Sequence, residues 1–117
     1  MATDQDLRRL ALGLEGTTEA PHFDRTAFRV ARIYVTLAPD RKTANFMFTP
    51  EEQEFKCMLA PEAFAPVPNA WGKRGATTAT LAKLKIAEVK SALETAYQHA
   101  LPKNKPNKQK PKRRQKS

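Results

Sequence analysis

Of the nine excess positive charges on this 117-residue chain, eight fall in residues 102–117, PKNKPNKQKPKRRQKS, which hold eight Lys or Arg and no acid. Residues 1–101 carry thirteen bases against twelve acids, so the pI near 10.0 belongs to an appendage and not to a basic globule. A single cysteine, Cys57, excludes an internal disulfide and a Cys-pair metal site, and no apolar run reaches the roughly 18 residues of a membrane span.

The division predicts one folded domain over residues 1–101 and a solvated Lys/Arg-rich tail over 102–117. About 100 residues is an ordinary size for one domain, and six Phe and one Trp suffice for a modest core. The tail has three prolines and no apolar residue, so it cannot pack a core. The start, MATDQDL, lacks the basic and apolar regions of a secretory signal, and a cytoplasmic, monomeric protein is expected.

In chain order, the first predicted element is a helix over residues 4–14. Thr3 caps it, Asp6 closes a capping box, and Leu7, Leu10, Ala11 and Leu14 recur at helical spacing, with Gly16 as the stop. TTEAPHFD contains Pro21 and no periodicity, which predicts a connecting loop. TAFRVARIYVTLA alternates apolar and polar residues, which predicts two strands joined at Ala31–Arg32. Neither turn residue favours the positive φ of two-residue hairpins. Pro39, Asp40 and Arg41 form the next turn, and Ala44, Phe46 and Phe48 share one face of a third strand.

TPEE at 49–52 is a strong helix start: Thr49 caps, Pro50 fits the first helical position and Glu52 closes a capping box. Phe55, Met58 and Leu59 make a short apolar stripe, Phe55 with Phe28, Phe46 and Phe48 reads as core, Cys57 reads as a buried helix residue, and Pro61 stops the helix. Residues 62–70 read as irregular, anchored by Phe64 and Val67. AWGKRGATTATL predicts a turn and then a strand at 76–81. A last helix spans about 84–100, with Ile86, Val89, Leu93, Ala96, Tyr97 and Ala100 on one side, and Pro102 ends it. The order predicts an α+β domain: an antiparallel sheet, one face covered by helices and the other wet.

LALGLEGTTEAPHFDRTAFRVARIYVTL, followed by AWGKRGATTATL and a helix containing LETAY, resembles the MmcQ/YjbR family over about residues 5–100. The matching positions are Glu19, Pro21, His22, Phe23, Phe28, Arg29, Val30, Trp71, Gly72, Gly75, Thr77 and Tyr97. The resemblance implies a compact frataxin-like fold in small bacterial cytoplasmic proteins that have no assigned enzymatic activity and are often described as DNA-binding. Two positions depart from the pattern. Ala31–Arg32 replaces a Gly-Lys turn, and Ala76 stands where a bulky aromatic is common. A shared fold does not by itself fix a function.

Nucleic acid, DNA before RNA, is the partner that the charge pattern and the resemblance predict. Eight tail cations, Lys103, Lys105, Lys108, Lys110, Lys112, Arg113, Arg114 and Lys116, would release counterions from phosphates; all eight on duplex DNA would give a log–log salt slope of about −7. Such contacts give affinity without sequence readout. In the body, Arg25, Arg29 and Arg32 at the hairpin, with Lys73 and Arg74, would form a basic rim with Tyr34 and Trp71 nearby if the two loops meet. Ordinary surface charges paired locally are the competing reading, and a protein- or small-ligand-binding module with a solubilising tail is the alternative function.

No catalytic residue is predicted. His22 has Glu19 near in sequence, too few ligands for a metal, and Ser91, the one serine outside the tail, sits in a helix, so no triad is readable. A hydrogen bond tying its loop to the sheet is the expected role of His22. Iron is not expected either, because Asp4 and Asp6 are offset by Arg8 and Arg9. No cofactor is predicted.

Overall fold

In the computed structural model, which describes residues 1–102, helix α1 covers Asp4–Leu12. Its capping box is formed: the Asp6 N–H donates to Thr3 Oγ1 and the Thr3 N–H donates to Asp6 Oδ2. Leu7 and Ala11 are buried, with Leu10 and Leu14 packed against the core. The helix stops at Leu12, earlier than the predicted end, with Gly13 as its C-cap; Gly16, at φ +83°, turns the chain into the sheet.

Strands β1 (Thr18–His22), β2 (Arg25–Arg29), β3 (Ile33–Leu37), β4 (Thr43–Met47), β5 (Phe64–Pro66) and β6 (Ala76–Thr80) form one antiparallel sheet in the order β1-β2-β3-β4-β6-β5. Both edge strands contradict the sequence reading, which has a loop at 17–24 and irregular chain at 62–70. All five residues of β1 are exposed, so it has no buried face to impose alternation, and an edge position tolerates Pro21. Strand β5 is three residues long and ends on Pro66, too short for a period to emerge.

The β2–β3 link is wider than a two-residue turn. Register slips between Phe28 and Arg29, and the Val30 N–H bonds the Arg32 carbonyl at 3.1 Å. This bulged loop needs no positive φ at Ala31 or Arg32, which removes the conflict seen in the sequence. The β3–β4 turn does need one, at Arg41 (φ +63°), and the Lys42 N–H bonds Asp40 Oδ1 there.

The inner sheet face presents Phe28, Val35, Leu37, Ala44, Phe46 and Ala79 to α1 and to α4 (Ile86–Ala100), which supplies Val89, Ala92, Leu93 and Ala96. Each large side chain buried here contributes roughly 1.5–3 kcal/mol. Before α4, a 3₁₀ turn at Leu81–Lys83 buries Leu81, and Leu84 follows it into the core. Ile86 was expected in the stripe of α4, but at the helix start it is 44% exposed. The opposite sheet face carries a register row of small residues, Ala20, Ala27, Thr36, Asn45, Thr78 and Ala65.

Helix α2 (Pro50–Leu59) has the predicted capping box, Thr49 with Glu52. It buries nothing: Phe55, Met58 and Leu59 are exposed, and Cys57 is half-buried against the core. The reading of Phe55 as core and of Cys57 as fully buried is corrected, because α2 packs on β5 and β6 with Lys56 reaching Ser91 of α4, and turns the side that carries Phe55, Met58 and Leu59 outward.

Candidate nucleic-acid interface

Two glycines shape the segment that precedes β6. A Cβ on Gly72 would stand 1.7 Å from the Val67 carbonyl oxygen, and one on Gly75, at φ +114°, would stand 2.0 Å from that of Phe48. Side chains are excluded there, so the backbone lies flush against the 67–69 turn and the β4–α2 junction. Asn69 caps the short helix α3 (Ala70–Lys73) by accepting from the Trp71 N–H at 2.8 Å. Gln53 of α2 donates to the carbonyls of Gly72 and Ala76 at 2.8 and 2.9 Å, and Thr77 Oγ1 donates to that of Gly75.

On this braced backbone Trp71 is 60% exposed. The Arg74 guanidinium carbon lies 5.5 Å from the Trp71 ring centre, a cation–π placement. Arg32, from the β2–β3 loop, faces the same cleft of about 430 Å³, whose walls include Ile33, Met47 and Ala96. Its Nη2 donates to the His99 carbonyl near the end of α4, where helix carbonyls lack intrahelical partners and the dipole favours a cation. The His99 ring nitrogen Nε2 lies against Glu52 Oε2, and Glu52 Oε1 accepts from the Thr49 N–H, so this carboxylate is engaged by protein groups. Ala100 also lines the cleft, three residues before the first tail base, Lys103.

Arg32, Trp71 and Arg74 therefore meet, whereas the other predicted body residues do not. Arg25 begins β2 at the end remote from the loop, and lies on the outer sheet face with Nε donating to Thr36 Oγ1 at 2.8 Å. Arg29 is exposed beside the loop and donates to the Ala31 carbonyl. Lys73 faces a separate depression with Gln53 and Val67. Lys103, Lys105, Lys108, Lys110, Lys112, Arg113, Arg114 and Lys116 lie outside the described residues.

His99 and Met47 are cleft residues that the sequence reading missed. The signal for His99 was its i+3 position from Ala96, which puts it beside the apolar stripe as the stripe reaches the helix end. His22 stands exposed at the β1–β2 tip, its ring edge-on to Phe23 at 4.8 Å, and among the described residues it lacks the hydrogen bond expected of it. Glu19 pairs with Arg8 at 2.9 Å, and Tyr97 donates to the Glu15 carbonyl at 2.6 Å. Asp4 pairs with Arg41. Among the described residues no three His, Cys, Asp or Glu side chains converge as a metal site, and no helix is long and apolar enough to cross a membrane.

Away from the cleft, burial shifts three groups. It pushes the Tyr34 phenol up, partly opposed by its bond to Thr17, and the Cys57 thiol up as well. It lowers the Lys56 ammonium against the pull of Glu88 and Glu52.

The described fold is similar to two solved structures. One, a Deinococcus radiodurans protein with a DUF419 domain, matches with a TM-score of 0.70 at 23% identity over 82% of this chain and 76% of that one. The other, a Pseudomonas syringae protein, matches with a TM-score of 0.63 at 18% identity over 83% of this chain and 97% of that one. No curated protein matches the chain. The YjbR family model matches residues 12–99, and the chain belongs to the YjbR family.

Proposed function

We propose that this protein is a non-enzymatic, monomeric, cytoplasmic nucleic-acid-binding protein that holds phosphates with Arg32, Arg74 and its basic C-terminal segment. One observation carries the reading. The cleft shared by Arg32, Trp71 and Arg74 includes Ala100, so the chain passes from the cleft wall into eight bases within its last sixteen residues. Fixed guanidiniums and a long cationic segment can then act on one polyanion. Descriptions of the family as DNA-binding put DNA before RNA. The reading keeps a frataxin-like layout, supported by α1 and α4 lying together over one sheet face.

Gel-shift titrations test it, comparing the full chain with a variant in which the eight tail bases are Gln, at about 50 and 200 mM salt. The full chain is expected to bind and to lose about ten-thousandfold in affinity between the two salts if all eight tail bases engage, and the variant to bind far more weakly with a shallower dependence. Binding that is absent in both, or equal and salt-insensitive, overturns the proposal. A protein-binding role is the second reading, favoured by the exposed Phe55, Met58 and Leu59 on α2.

A further inference from the structure

We infer that the Arg32–Trp71–Arg74 cleft takes an unpaired nucleobase, which makes the protein a binder of single-stranded rather than duplex nucleic acid; this rests on the proposed nucleic-acid role. Duplex bases present only their edges in the grooves, and their faces are stacked on one another. A ring held over the Trp71 indole must therefore come from an unstacked nucleotide. The cleft suits such a guest. Its volume of about 430 Å³ exceeds what one base fills, its walls include the apolar Ile33, Met47 and Ala96, and Arg32 and Arg74 among its lining residues supply guanidiniums for the flanking phosphates.

The support is fixed before any ligand arrives. Gly72 and Gly75 lie flush against neighbouring backbone, Gln53 holds two carbonyls of the segment, and Arg32 is tied to the His99 carbonyl. Arg74 already stacks on the indole, so a base on the opposite ring face would complete a guanidinium–indole–base sandwich. An aromatic displayed on braced backbone loses little freedom on binding, which is the economy of a preformed stacking platform. Purely electrostatic capture by the tail has no use for it.

The experiment uses the full chain and four probes: an oligothymidylate of about ten nucleotides, the same oligomer without bases, a duplex of equal length, and inorganic polyphosphate. Trp71 is the only tryptophan, so its emission reports on the cleft alone, and end-labelled probes give affinities independently. Oligothymidylate is expected to quench Trp71 and to bind about tenfold more tightly than the abasic oligomer. Trp71→Ala is expected to remove that tenfold advantage while changing duplex affinity less than twofold. Arg74→Gln, an exposed substitution that leaves the reporter in place, is expected to weaken oligothymidylate and reduce quenching. If oligothymidylate binds without changing Trp71 emission and Trp71→Ala binds it equally well, the base slot is wrong, although the nucleic-acid role stands. If no nucleic acid binds at low salt, both readings fall.

Discussion

The side-chain amide of Gln53 donates to the carbonyl of Gly72 at 2.8 Å, tying α2 to the segment that displays Trp71. The same amide reaches the Ala76 carbonyl, so one side chain satisfies two loop acceptors. Gln53→Ala removes both bonds, but the Gly72 carbonyl keeps the Gly75 N–H and the Ala76 carbonyl keeps the Val67 N–H, so the expected cost is that of lost hydrogen bonds, about 0.5–1.5 kcal/mol. Urea denaturation is expected to show that loss, with lower Trp71 emission anisotropy in the folded state. An unchanged midpoint and anisotropy would mean that the brace is not what holds the loop.

The two kinds of glycine in this chain give a paired test. Gly75→Ala must fit a Cβ at φ +114° and 2.0 Å from the Phe48 carbonyl oxygen, so a loss of about 3 kcal/mol or more is expected. Gly13→Ala has φ −76° and its nearest atom at 3.4 Å, so it is expected to be neutral or to gain about 0.5 kcal/mol. Thermal melts that rank the two alike would contradict the backbone described around Gly75.

Tyr34 is buried beneath α1, with its hydroxyl 2.8 Å from Thr17 Oγ1 and donating to the Ala11 carbonyl at 3.3 Å. Tyr34→Phe removes both bonds; the Ala11 carbonyl keeps the Leu14 N–H, while the Thr17 hydroxyl loses its partner. Calorimetry is expected to give a loss of about 1–2 kcal/mol, and a stabilised variant would refute the arrangement.

Phe46 and Phe55 look alike in the sequence, yet their substitutions are expected to differ widely. Phe46→Ala empties a fully buried site and costs about 3–5 kcal/mol. Phe55→Ser, at a position 53% exposed on a helix that buries nothing, is expected within about 0.5 kcal/mol of the parent. A large loss at Phe55 in chemical denaturation would put that side of α2 against the core after all.

Acid should weaken the first helix through Asp6. Its carboxyl is held below the ordinary 3.8, first by the Thr3 backbone N–H and then by the Thr3 hydroxyl. A depressed folded value means that the contribution is complete above the unfolded pKa and fades as pH falls through the folded one. The Tm gap between parent and Asp6→Ala is therefore expected to close between about pH 5 and pH 2. A gap constant over that range would assign the cap no charge-dependent part.

Strong local chemistry is readable in the sequence. Thr3 with Asp6 and Thr49 with Glu52 are caps written within four residues, and Phe28, Val35 and Phe46 announce their strands by alternation. Thr18–His22 and Phe64–Pro66 escaped notice because edge strands need no inward face and carry proline without harm. Phe55 misled because an apolar helical stripe does not say which way the packed helix turns it. The cleft was half legible. Trp71 and the arginines could be named as candidates, but the meeting of Arg32 with Arg74, and the departure of Arg25 and Lys73, depend on which ends of β2 and α3 the sheet brings to α4.

The most direct test of shared use of cleft and tail is an amide and indole NMR titration of the full chain with oligothymidylate. The account predicts progressive shifts of the single Trp71 indole N–H and of the Arg32, Arg74 and Ala100 amides, together with the tail signals. Saturation with shifts confined to the tail, or centred on the Phe23 hairpin tip, would contradict it.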